Sequence, residues 1–134
     1  MIQTIELAVT GQGLNAFTDK LNAVVNGADI DEGLCTLFIQ HTSASLLIQE
    51  NYDPSAQHDL EQWMNRLVPE RDPLYTHTLE GDDDMPAHIK ATLTATSISI
   101  PVIGGRLALG TWQGVYLWEH RHGAQNRRVI VHVA

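Results

Sequence analysis

A single cysteine in 134 residues rules out an internal disulfide, so the fold stands without covalent staples. Cys35 sits in an apolar run and reads as a small buried hydrophobe. No apolar stretch reaches the ~20 residues that a membrane helix needs. Met1-Ile2-Gln3-Thr4 lacks the basic-then-apolar pattern of a signal peptide, so the expected address is cytoplasmic, with no membrane partner. Basic residues are scarce: eight Lys and Arg against sixteen Asp and Glu give a net charge of −8, which argues against nucleic acid as a partner. Charged residues at 18% are too few for disorder, and a hydrophobic content of 43% supports a globular core. There is no P-loop and no dinucleotide fingerprint. Without a nucleophile elbow, a Ser-His-Asp triad on Ser43 or Ser45 is not expected.

The length suits one domain over residues 1–134. Charge is uneven along it. Residues 85–134 hold Lys90, Arg106, Arg121, Arg127 and Arg128 against Glu119 alone, a composition able to hold a small anion such as a phosphate ester. Residues 3–9 alternate as a first strand. Leu14, Phe17, Leu21, Val24 and Val25 fall at helical spacing and predict a helix from about 15 to 25, stopped by Asn26-Gly27. Leu34–Gln40 and Ser43–Gln49 read as strands. Asp53-Pro54 opens a second helix, Asp as N-cap and Pro at its first position, and Val68-Pro69 ends it. Residues 69–86 form a long polar connection whose Asp82-Asp83-Asp84 lacks the spacing of a calcium loop and suits a helix N-terminus. A short helix follows from Pro86, with Met85, Ile89 and Leu93 on one face and His88 and Lys90 off it. Ser97–Val102, Arg106–Leu109, Gln113–Glu119 and Arg128–Val133 are late strands. Pro101 suggests an edge or bend, Gly104-Gly105 a hairpin, and Gly110 with Gly114 a bulge or close backbone approach. The pattern predicts an α+β fold: an antiparallel β-sandwich flanked by two or three helices.

Polar groups crowd the ends of the strand at 43–49. His41, Thr42 and Ser43 precede it, and Glu50, Asn51 and Asp53 follow it, where it gives way to a helix. Seven histidines are many for this length, although a lone histidine is more often structural. Histidine is also the side chain that supplies acid–base chemistry near neutrality without perturbation. His41, His88 and a carboxylate would satisfy a divalent metal, Mg or Zn, and spacing alone does not bring them together. Lys90, Arg121, Arg127 and Arg128 are the evident anion clamps.

These segments, in order, resemble the YjbQ-like family, also called the secondary thiamine-phosphate synthase family. The matching segments are His41-Thr42-Ser43-Ala44, Glu50-Asn51-Tyr52-Asp53-Pro54, Ala87-His88-Ile89-Lys90, Ile100-Pro101, and Leu109-Gly110-Thr111-Trp112-Gln113 with Glu119. Glu119-His120-Arg121-His122-Gly123 is similar to the bacterial branch. Many members instead carry an acidic-Gly-Pro-Arg segment there. The resemblance implies an α+β sandwich assembled as a homotrimer, with a polar pocket near subunit contacts. It implies a weak transferase activity that joins a pyrimidine pyrophosphate to a thiazole phosphate. On this reading His41, His88, Glu50 and Glu119 are catalytic candidates, and His41 and His88 are the metal candidates. Ser43, Asn51, Lys90, Thr111 and Arg121 would bind a small phosphorylated substrate. Two rivals use the same residues: a trimeric binder of a phosphorylated metabolite or metal, and a metal-dependent hydrolase.

Overall fold

Alternation decides which residues meet. A computed structural model describes all 134 residues. In β1 (Ile2–Val9), β3 (Glu32–Ile39), β5 (Ser97–Ile103) and β8 (Gln125–Val133), every second residue is buried from Ile5, Cys35, Ile100 and Arg127 onward. With the two-residue β6 (Arg106–Leu107), these strands form an antiparallel sheet in the order β1-β8-β3-β5-β6. A second antiparallel sheet, β2-β7-β4, is built from β2 (Gly13–Ala16), β7 (Gln113–Glu119) and β4 (Ala44–Glu50). The inner faces enclose a core that includes Ile5, Leu37, Ile100, Val129 and Val131 from the first sheet and Leu46, Val115 and Leu117 from the second. Helix α1 (Thr18–Gly27) adds Leu21, Val24 and Val25 to this core.

The second sheet is covered on its other face too. Met64 and Val68, from α2 (Pro54–Leu67) and its C-cap, pack on Trp118, with Ile89 of α3 (Asp84–Leu93) beside them. The molecule is therefore layered sheet, sheet, helices, and β7 is buried from Gly114 through Glu119. That explains its near-continuous apolar run where a one-sided strand would alternate.

The predicted α+β sandwich with flanking helices is the observed architecture, and several local readings hold. Asp53 caps α2 by accepting from the Ser55 N–H at 2.9 Å, with Pro54 in the first turn. Gly104 and Gly105, at φ 60° and 75°, make the turn between β5 and β6. β6 covers only Val102 and Ile103, so Pro101 lies where little ladder is lost.

Three readings are corrected. The helix expected at 15–25 begins at Thr18, because residues 13–16 pair with β7 as a strand. Leu14 shares the helical spacing but packs on the second core with Trp118. The strand expected at 106–109 stops at Leu107. On α3 the buried side carries Ala87, Lys90 and Ala91, whereas Leu93 is exposed. Lys90 therefore points into the protein, not into an open pocket.

Candidate functional site

Parity along two strands builds the centre of the site. Glu119 lies in phase with Val115 and Leu117, and Arg127 in phase with Val129, Val131 and Val133. Both side chains thus point between the sheets, where the apolar core ends. Glu119 is fully buried and Arg127 nearly so. Arg127 donates from Nε to Glu119 Oε1 at 2.6 Å and from Nη2 to Oε2. Nη2 also donates to Ser43 Oγ at 2.9 Å. A bidentate pair in this setting fixes the guanidinium plane. Losing either partner would leave a buried charge alone, at a cost of about 3–5 kcal/mol.

His41 sits at the open edge of this pair. Its Nε2 accepts the Arg128 backbone N–H at 2.8 Å, and its Nδ1 lies 3.3 Å from Arg127 Nη1. Burial, with the Arg127 charge second, lowers the His41 pKa, so the ring is neutral at pH 7. A neutral imidazole has one acceptor nitrogen. The shorter bond assigns that role to Nε2, so Nδ1 carries a hydrogen. Nδ1–H and Nη1–H are then two donors side by side. They front a cleft of about 470 Å³ lined by Gln40, His41, Thr42, Ser43, Thr96 and Arg127.

One residue further on, the direction reverses. His120 points to the helical layer, where Nε2 meets Ser45 Oγ at 2.8 Å. Burial, with Lys90 and Arg127 adding to it, pushes the His120 pKa down to about 3. Lys90 Nζ donates to Asn65 Oδ1 at 2.6 Å, and burial lowers its pKa. Ser45 and His120 are both buried, so this pair is no accessible nucleophile and base.

A third group lies at the start of α3. Asp84 is buried, with Oδ1 bound by Arg121 Nη1 at 2.9 Å. Its Oδ2 is 2.8 Å from His77 Nε2 and 3.3 Å from His88 Nε2. His88 Nδ1 donates to the Thr42 carbonyl at 3.2 Å, tying α3 to the loop that carries His41 and Ser43. Arg121 also holds Asp83 at 3.1 Å and the Glu80 carbonyl at 2.9 Å. The acidic run thus serves the helix start and Arg121 together.

The sequence-predicted residues divide. His41, Ser43 and Glu119 meet through Arg127, and Arg121 joins them where its backbone N–H donates to Glu119 Oε2 at 3.0 Å. His88 meets a second imidazole and a carboxylate, but these are His77 and Asp84; His41 has both ring nitrogens against Arg127 and Arg128. Lys90 and Arg121, read as phosphate clamps, are occupied by Asn65 and by carboxylates. Glu50, Asn51 and Thr111 gather at the far end of the β4–β7 pair, since Ala44 faces Glu119 and Glu50 faces Gln113. Seven residues at ~3.3 Å put about 20 Å between the two ends. Asn51 lines a separate cleft of about 570 Å³ with Thr18, Gln57 and Tyr116. The reading missed His77 and Asp84 because they lie seven residues apart, with no shared element to announce them.

An α+β sandwich with a buried ionic cap at one end and two clefts of mixed lining defines the class of this protein. Residues 3–134 match the family described as UPF0047 protein YjbQ-like. A UPF0047 protein of Synechocystis is 52% identical over 132 residues, which cover 98% of this chain and 90% of the relative. YjbQ of Escherichia coli O157:H7 is 43% identical over 129 residues, covering 96% and 93%. A solved YjbQ/UPF0047 family structure from Clostridium acetobutylicum aligns with a TM-score of 0.87 at 31% identity, covering 97% of this chain and 99% of that one. This chain belongs to the YjbQ-like UPF0047 family. No helix is long and apolar enough to cross a membrane.

Proposed function

We propose that the protein, as a homotrimer, binds a small phosphorylated metabolite in the cleft before Arg127 and His41. The reaction it supports is the weak or secondary joining of a pyrimidine pyrophosphate to a thiazole phosphate. The observation that carries the anion reading is the pair of N–H donors, His41 Nδ1 and Arg127 Nη1, 3.3 Å apart with no protein acceptor assigned between them. One phosphate oxygen would accept from both and relieve their repulsion.

The chemistry suits residues that hold but do not titrate. The pyrimidine methylene carbon–oxygen bond breaks and pyrophosphate leaves with the electron pair. The thiazole nitrogen lone pair then forms the new carbon–nitrogen bond, and no proton moves. Such a step needs positioning and stabilised leaving-group charge, without a general base. A fixed guanidinium and a neutral imidazole donor supply both, and Glu119 serves by orienting Arg127.

A second reading, a binder without turnover, is favoured by one feature. The lone-pair nitrogen of His41, Nε2, is taken by the Arg128 N–H, and His120 is buried against Ser45, which leaves no free base at this end.

The test is thermal shift and product analysis on the purified chain. Thiazole phosphate and pyrophosphate should stabilise the fold, the unphosphorylated thiazole should not, and His41→Ala should weaken the effect about tenfold or more. Thiamine phosphate formed from both precursors supports the transferase. Stabilisation without product supports the binder. No stabilisation by any phosphorylated ligand overturns both.

A further inference from the structure

We propose that His77, Asp84 and His88 bind one divalent first-row transition metal, zinc in type, with a coordination position left open to solvent. This site shares no lining residue with the Arg127 cleft, although the His88–Thr42 bond joins the two, and its argument does not rest on the proposed thiamine chemistry.

The donor atoms already converge. One from each residue lies within 4.8 Å of the other two, and Asp84 Oδ2 is 2.8 and 3.3 Å from the two imidazole Nε2 atoms. Tetrahedral ligands on ~2.0 Å bonds stand about 3.3 Å apart, so little movement is needed to close on an ion.

The tautomer of His88 supplies a second, independent observation. The Thr42 carbonyl can only accept, so Nδ1 of His88 carries the hydrogen. Nε2 then faces a buried carboxylate oxygen 3.3 Å away, a contact that either a proton or a metal ion between the two atoms would complete. A carbonyl on the far nitrogen is also the usual way a metal-binding imidazole is oriented. Asp84 is prepared similarly. Arg121 holds Oδ1, leaving Oδ2 for the ion, and the carboxylate side chain is only 3% exposed.

Charge and donor type set the ligand class. Asp83 and Asp84 outnumber Arg121, and Glu80 stands beside it, so a cation would relieve a net negative cluster. Two imidazoles with one carboxylate favour zinc-like ions over magnesium or calcium, which prefer oxygen. Side-chain exposures of 50% for His77 and 32% for His88 leave one side open, as in sites that exchange water or a phosphate oxygen.

The full chain, stripped with chelator, is titrated with Zn²⁺ by calorimetry and with Co²⁺ by visible absorption. One equivalent per chain and Co²⁺ ligand-field bands are expected, with no competition from Mg²⁺. His77→Ala and His88→Ala should each weaken binding by about 100-fold or more, while His58→Ala does not. His77 is half-exposed, so its variant tests the site without the folding risk of unpairing Arg121 at Asp84. Absence of saturable binding, equal binding of Mg²⁺, or wild-type affinity in both histidine variants overturns the proposal. None of these outcomes bears on phosphate binding before Arg127.

Discussion

His120 shows how one residue couples fold and solvent. Its ring is buried against Ser45 and held neutral, with a pKa of about 3 against 6.5 for a free histidine. Between these values the unfolded chain binds a proton that the native chain refuses. Native stability is therefore whole above pH 6.5 and falls as pH drops toward 3, by at most about 1.4 kcal/mol per pH unit from this group. His120→Gln should flatten the dependence. Denaturant unfolding of both proteins across pH 4–7 reads the difference, and parallel curves would show that His120 charges freely in the native state. His120 and His122, two residues apart, would share one face of a continuing strand, whereas Arg121-His122-Gly123 also reads as a turn. The chain turns after His120, and His122 swings out to Glu70. Glu119 is legible as the carboxylate that closes the strand read at Gln113–Glu119. Its partner Arg127 sat among four plausible cations, and only strand parity separates it from Arg128.

At the scale of elements, the legible features were those with local causes. Asp53-Pro54, Gly104-Gly105 and the Gln113–Glu119 strand are each specified by neighbours in sequence. The missed features have long-range causes. β2 exists because β7 offers it a ladder, and Lys90 can be buried because Asn65 Oδ1 of α2 accepts a hydrogen bond from its ammonium. Gly114 lies between the two kinds. Its reading as a close-approach point is borne out, because a β-carbon there would stand 2.9 Å from Asn51 Cβ. Asn51 is fixed at that spot by its N–H bond to the Trp112 carbonyl at 2.9 Å, so it has little room to retreat. Gly114→Ala should destabilise the fold by about 1–3 kcal/mol through overpacking. Equilibrium unfolding measures this directly, and a neutral result would mean that the β4–α2 junction yields easily.

At the scale of the whole molecule, the division of the motif residues is the fact to explain. His41 and Ser43 stand at one end of the β4–β7 pair, and Glu50, Asn51 and Thr111 at the other. One small ligand does not span the roughly 20 Å between them. If these residues serve one site, different chains must supply its two halves, which is what the proposed homotrimer allows. The outer face of the larger sheet leaves Leu34, Phe38 and Ile103 about half-exposed or more, apolar surface that subunit contact would cover. Light scattering should then give three times the 14.8 kDa chain mass. His41→Ala and Asn51→Ala should each lose thiazole phosphate binding alone. Unfolded, mixed and refolded together, they should regain it at roughly one site in four, the share in which both donor chains are intact by random assortment. Trimers with no recovery would confine each site to a single chain and leave Asn51 to the separate cleft it lines with Tyr116.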